Sequence, residues 1–256
     1  ADGRRMYSHR AMGLVQDVFN EDILRRLPGH MAIGHCRYST SGHTLLKNAQ
    51  PFAMETHRER LAVAHNGNLV NARQIRQELE ENGAIFQSTM DTEVIAHLMA
   101  MARSDELLEK ITFALNRIQG AYSLVFLTEN TLAGARDPWG FRPLVLGRFK
   151  NRDGYIIASE TCALDLVEAC YLREIEPGEV VIIDANGIRS YHPLPRQPRR
   201  ACIFEHIYFA RPDSIIFGES VYETRLRIGE ELAREQPAEA DIVVPVPDSG
   251  RIAGYG

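Results

Sequence analysis

The chain has 256 residues, of which 45% are apolar and 25% charged, and a formal net charge of −5. That profile fits a globular protein with room for one large domain or two ordinary ones, and it supplies no basic field for nucleic acid or an anionic membrane. No apolar run is long enough to span a bilayer and no signal-peptide pattern opens the sequence, while four cysteines (Cys36, Cys162, Cys170 and Cys202) at scattered spacings make no disulfide framework, so the cytoplasm is the expected compartment. In chain order, "MAIGHCRY" (31–38) and "RLAVAHNG" (60–67) have the pattern of strands. "NARQIRQELEEN" (71–82) reads as a helix with Asn71 as N-cap and Gly83 as its stop. "DTEVIAHLMAMAR" (91–103) is a second helix, with Val94, Ile95, Leu98 and Met99 at helical spacing. Ser104 is placed to cap "DELLEKITFALNRI" (105–118), which Gly120 ends.

Strands then follow closely: "AYSLVFL", "TLAGARD", "RPLVLGRF" and "GYIIASE". A short helix "CALDLVEA" precedes the hairpin "GEVVIIDANGIRSY", which turns at Asn186-Gly187. Strands on both sides of a helical block, without strict βαβ alternation, predict an α+β fold of stacked sheets with helices outside. "HPLPRQPRR" (192–200) reads as a linker. Beyond it, "SVYETRLRIGEELARE" is a helix and "ADIVVPVPDSG" (240–250) a buried strand entering a polar loop, the start of a parallel α/β unit. The expected division is 1–195 and 196–256.

Three stretches carry chemistry. In "GHCRYSTSG" (34–42), Arg37 ends an apolar strand and offers a fork for a carboxylate, with Thr40 able to add a hydrogen bond. Each also fits an ordinary surface turn. In "QSTMDTEVIAH" (87–97), Asp91 stands at a helix N-terminus, as a cap or as a partner for an ammonium group. In "AHNGNLVN" (64–71), Asn66-Gly67 reads first as a turn. Taken together, a carboxylate holder, an ammonium holder and an amide-rich turn suit an α-amino acid with a reactive side-chain carbonyl. Asn66 Nδ2 and the Gly67 N–H would then stabilise a developing oxyanion.

"GHCRYSTSG", "AHNGNLVN" and "STMDTEV", in that order along the chain, resemble the class II glutamine amidotransferase domain, the N-terminal-nucleophile glutaminase. "RDPWGFRPLVLG", "ASET" and "FEHIYFARPDS" (204–214) narrow the resemblance to the amidophosphoribosyltransferase family, and it runs from about residue 10 onward. It implies an αββα sandwich that hydrolyses glutamine, followed by the start of an α/β phosphoribosyltransferase-type domain. There ammonia would displace pyrophosphate from phosphoribosyl pyrophosphate (PRPP), giving 5-phosphoribosylamine in the first committed step of purine synthesis. By matching motif, Arg37, Thr40 and Asp91 contact glutamine, and Asn66 with Gly67 forms the oxyanion hole. Phe204 and Tyr208 lie on the route between sites, and Ser249 in "VPVPDSG" belongs to the Mg²⁺ that accompanies PRPP. Cys202 fits a buried small side chain, or one thiolate of the [4Fe–4S] cluster that some members carry. Purine nucleotides as feedback inhibitors and a homo-oligomer are implied as well.

The family's nucleophile is an N-terminal cysteine whose own α-amine activates it, whereas this chain opens on Ala1. The expectation is therefore a piece of a longer protein that does not turn over glutamine by itself. The alternatives are a nucleophile-less module that binds or senses glutamine, and another class II glutaminase.

Overall fold

The computed structural model describes residues 1–37, 45–56 and 59–256. Along the chain run the helices α1 (Val15–Val18) and α2 (Glu21–Arg25), the strands β1 (Phe52–Glu55) and β2 (Arg60–Leu69), and then α3 (Ala72–Glu81), α4 (Thr92–Met101) and α5 (Leu107–Leu115). There follow β3 (Gly120–Leu127), β4 (Leu132–Arg136), β5 (Val145–Phe149), β6 (Tyr155–Ala158), α6 (Cys162–Leu166), β7 (Ala169–Glu174), β8 (Val180–Asp184) and β9 (Gly187–Tyr191). A π-helical turn (Glu205–Phe209) leads to β10 (Ile215–Ile216), β11 (Glu219–Ser220), α7 (Val221–Glu235) and α8 (Gly250–Ala253). The described residues divide into two compact units, 1–140 with 175–199, and 141–174 with 200–256. Residues 141–174, which the sequence pattern groups with the first domain, thus cluster with the second unit.

The first unit is built on a six-stranded sheet in the order β1-β2-β3-β4-β8-β9, antiparallel throughout. One face carries Leu61, Val63, Tyr122, Leu124, Phe126, Ala133, Ala135 and Val180, all buried against α3, α4 and α5. Helix α4 is buried around most of its girth, as the spacing of Val94, Ile95, Leu98 and Met99 predicts, because it packs on β1, β2, α3 and α5 at once. The other face meets the N-terminal segment, where Ala1, Ala62 and Leu127 pack with Met31 and Ile33. The hairpin β8–β9 forms, but it turns at Ala185-Asn186 rather than Asn186-Gly187: Gly187 at φ +97° already pairs with Asp184, whose Oδ1 accepts from Asn186 N–H at 2.8 Å. At the end of β4, the fully buried Arg136 donates to the carbonyls of Ile175 (2.7 Å) and Gly140 (3.2 Å).

In the second unit, β6-β5-β7 form an antiparallel sheet, and β10 and β11 a short ribbon. Helix α7 starts at Ser220, whose Oγ accepts from Glu223 N–H at 3.3 Å.

Several local expectations are corrected. Residues 31–37 form no strand, because Met31 and His30 bond to Ala1 rather than to a neighbouring ladder. Asn71 does not cap α3, since its side chain joins Arg117 O and Gln119 N–H instead. Ser104 accepts from Glu106 N–H, three residues before α5 properly begins at Leu107, and Gly120 opens β3 rather than closing a helix. The run 240–248 is neither strand nor buried: Ile242 is 76% and Val244 81% exposed. No ladder partner for it exists among the described residues, and every strand pair there is antiparallel.

Candidate active site

The site is organised by the far end of β2. "RLAVA" does not stop at a turn. His65, Asn66, Gly67, Asn68 and Leu69 continue the strand, paired with Leu124, Ser123, Tyr122, Ala121 and Gly120. Asn66-Gly67 is therefore strand, not turn. In an antiparallel ladder, pairs that exchange both hydrogen bonds alternate with pairs that exchange none. Tyr122 directs its carbonyl to Asp137 N–H (2.9 Å) on the β4 side, so Gly67 opposite it belongs to a non-bonded pair. Its N–H consequently faces the outer edge of β2, past the last β1 pairing at Phe52–Val63.

The neighbours at the same parity show where that edge leads. His65 N–H donates to Gln50 Oε1 at 2.7 Å, and Leu69 N–H donates to Asp91 Oδ2 at 3.0 Å. Gly67 stands between them, with its N–H directed to the same side.

No other residue fits there. Gly67 has φ +152°, and a Cβ would sit 2.0 Å from the Ala121 carbonyl oxygen and 2.8 Å from His65 Nε2. Asn66, half-buried, falls on the alternate face with Ala62, the face that the segment carrying Met31 and Ile33 covers.

Asp91 precedes α4 but makes no side-chain cap bond. Instead it reaches β2, with Oδ2 on Leu69 N–H and Oδ1 3.5 Å from His65 Nδ1. Burial pushes its carboxyl pKa up, but the hydrogen bond and charge of His65 and the N–H groups of Leu69 and Thr92 outweigh that and hold it below the usual value. An ionised carboxylate at this edge is a ready partner for an ammonium group.

The loop before α4 is held by two buried polar residues. Glu93 accepts from Gln87 N–H, Ser88 N–H and Ser88 Oγ at 2.6–2.7 Å. Asn48 accepts from Thr89 N–H at 3.0 Å and donates to Thr89 Oγ1 at 2.9 Å. Neither Glu93, Asn48, Gln50 nor His65 stands out in the sequence as a site residue. His65 and Glu93 lie within the motifs "AHNGNLVN" and "QSTMDTEVIAH" but without a feature that singles them out, while Asn48 and Gln50 carry no periodic signal.

Arg37 is half-buried at the end of the described N-terminal segment. His35, two residues before it, has its pKa pushed down to about 4 by burial, with the charges of His65 and Arg37 adding to the effect. His35 thus lies within electrostatic reach of His65 and of Arg37. Thr40 lies outside the described residues.

The other sequence-derived candidates belong to the second unit. Phe204 and Tyr208 are 55% and 54% exposed on the π-helical turn. That turn is anchored from several directions: Glu205 pairs with Arg142 at 2.7 Å, Arg225 donates to the carbonyls of His206 (2.6 Å) and Ala210 (2.8 Å), and Glu160 accepts from Arg211 N–H (2.8 Å). Cys202 is half-buried next to it, and its N–H donates to Phe141 O. Ser249 precedes α8 without capping it. Among the described residues, no three His, Cys, Asp or Glu side chains converge as a metal site. A [4Fe–4S] cluster takes four thiolates and Mg²⁺ relies on carboxylates and phosphates, so neither group is held by these residues alone.

A family model for the glutamine amidotransferase domain matches residues 35–166. Amidophosphoribosyltransferase 1, chloroplastic, of Arabidopsis thaliana is 53% identical over 245 residues, which is 96% of this chain and 43% of that protein. Among solved structures, one described as the allosteric regulatory enzyme of purine biosynthesis superposes with a TM-score of 0.94 at 44% identity, covering 99% of this chain and 54% of its own. Glutamine PRPP amidotransferase from B. subtilis, complexed with ADP and GMP, does so with a TM-score of 0.92 at 44% identity, over 99% and 55%. The chain spans about half the length of the curated relatives it matches.

Proposed function

Because the chain belongs to the glutamine amidotransferase family, we propose that it is part of a glutamine-dependent amidophosphoribosyltransferase. The observation that carries the glutaminase half is the Asp91 carboxylate bound to Leu69 N–H, two residues along the same strand edge from the outward N–H of Gly67. In this reading Asp91 receives the α-ammonium of glutamine and Arg37, with Thr40, its α-carboxylate. The side-chain carbonyl then points to Gly67 N–H and Asn66 Nδ2. On this reading both donors are held before reaction, Gly67 by its place in the β2–β3 ladder, so the oxyanion of the tetrahedral intermediate gains their electrostatic stabilisation. The attacking thiol is taken to be the family's N-terminal cysteine, which is none of the four cysteines here.

The transferase half rests on the similarity across nearly all of this chain. Ammonia would pass to PRPP to give 5-phosphoribosylamine, with Phe204 and Tyr208 coupling the two sites. Ser249 would contribute to a Mg²⁺ site, and Cys202 one thiolate to a cluster, each completed by donors other than those described. Purine nucleotides are the proposed feedback ligands and a homo-oligomer the proposed assembly. The compartment is cytoplasm or, as in the plant relatives' names, plastid.

The test is kinetics of the complete protein with glutamine and with free ammonia. Asn66→Ala should lower glutaminase kcat about a hundredfold with little change in glutamine binding. Arg37→Ala should raise the KM for glutamine, by the roughly 2–5 kcal/mol of a lost charged pair, and leave ammonia-dependent synthesis intact. A normal kcat in the first variant, or equal loss of both activities in the second, would overturn the assignment.

A further inference from the structure

His65 is absorbed by no role so far, yet it stands where the pieces of the site meet. Its ring is buried, at 4% exposure, on the end of β2. Nδ1 lies 3.5 Å from Asp91 Oδ1, and Nε2 lies 3.4 Å from the Ala121 carbonyl oxygen on β3. That same carbonyl and that same Nε2 are the atoms a side chain at Gly67 would strike. Its main chain is gripped as well: Gln50 accepts from His65 N–H at 2.7 Å and donates to His65 O at 3.3 Å. One imidazole therefore touches the ammonium holder with one nitrogen and the strand wall behind the oxyanion donor with the other.

We propose that His65 is a positioning residue that sets the Asp91 carboxylate and the Gly67 N–H at a fixed separation, so that one glutamine engages both. The proposal rests on the glutaminase reading above. Both atoms facing the ring are acceptors. A neutral imidazole has one N–H for the two, and an imidazolium has one for each. The two contacts have separable consequences. The Nδ1 contact orients Asp91, which acts on ground-state recognition. The Nε2 contact holds β3 against Gly67, which acts on the transition state.

Two substitutions divide the ring. An asparagine amide reaches the place of Nδ1, and a glutamine amide that of Nε2. In the complete protein, His65→Asn should keep the KM for glutamine within about threefold and lower glutaminase kcat at least tenfold. His65→Gln should do the reverse, raising KM at least tenfold with kcat largely kept. His65→Leu should lose on both. Equal effects of His65→Asn and His65→Gln on KM and kcat, or no effect of either, would overturn the proposal. Asn66→Ala and Arg37→Ala, measured beside them, separate this from failure of the glutaminase reading, because they fail only if that reading is wrong. A measurement without substitution covers variants that do not fold: the ¹⁵N signals of the His65 ring in the unaltered protein should shift when L-glutamate is added. Unmoved signals would overturn the proposal too.

Discussion

The stretches "RLAVA" in β2 and "IVVPV" at 242–246 are both short, apolar and rich in β-branched residues, and they end in opposite states. Val63 is fully buried between β1 and β3, while Val244 is 81% exposed and belongs to no ladder. The difference lies in what stands beside each. At Ala62 and Val63, β2 finds a strand on both sides and a helical layer over one face, so this stretch is paired and covered. The run at 242–246 finds no strand among the described residues, and Pro245 removes one donor from it. A strand is a property of a pair, and composition supplies only half of it.

That contrast can be broken or sharpened by substitution. The largest effect is expected at Gly67→Ala, where positive φ and a backbone oxygen at the Cβ position combine. Strain plus forced displacement should cost roughly 4 kcal/mol, read as a lower midpoint in urea. An unchanged midpoint would mean that β2 and β3 are spaced more loosely than described. Leu61→Ala, a deletion in the packed core, should cost about 3 kcal/mol by the same measurement.

An effect of pH comes next. Asp91 has its folded-state pKa lowered, so its ionised form favours the native protein above the unfolded value near ~3.9, and that contribution is lost as pH falls through the folded value. Asp91→Asn should therefore flatten the acid limb of stability below about pH 4, and titration curves of both proteins would show it. An acid limb identical to that of the unaltered protein would remove Asp91 from this role. The smallest effect is expected at Ile242→Ala, within about 0.5 kcal/mol, because an exposed side chain without partners has little to lose. A loss as large as that of Leu61→Ala would show that something covers the run.

Much of the fold is written in periodicity. The spacing in α4 and the β8–β9 hairpin depend on neighbours in sequence, and both appear, the hairpin with its turn one residue earlier than the Asn-Gly pair suggests. Gly83 likewise ends α3, at φ +89°. What was illegible depends on distant partners. Asn71 carries the composition of a cap, but Arg117 and Gln119 outcompete the helix for its side chain. Asp91 gives up the same role for β2. At the site, the motifs pointed to Asn66, Gly67 and Asp91 but missed the residues that hold them. Asn48 and Gln50 act through backbone groups far along the chain, and Glu93 folds back on the loop before its own helix; no pattern in their surroundings announces that.

One buried guanidinium has a topological consequence. Arg136 donates to the carbonyls of Gly140 and Ile175, the residues at which the first unit's two stretches of chain break off and resume. Everything from Phe141 to Glu174 is thus an excursion whose two mouths are stitched at a single side chain. With its ends pinned, the excursion adds little further closure entropy for being longer or shorter, since that cost grows only with the logarithm of length. The six-stranded sheet can then keep its register while loops within the excursion change length, provided the stitch at Arg136 is left in place and Arg142 and Glu160 still hold Glu205 and Arg211.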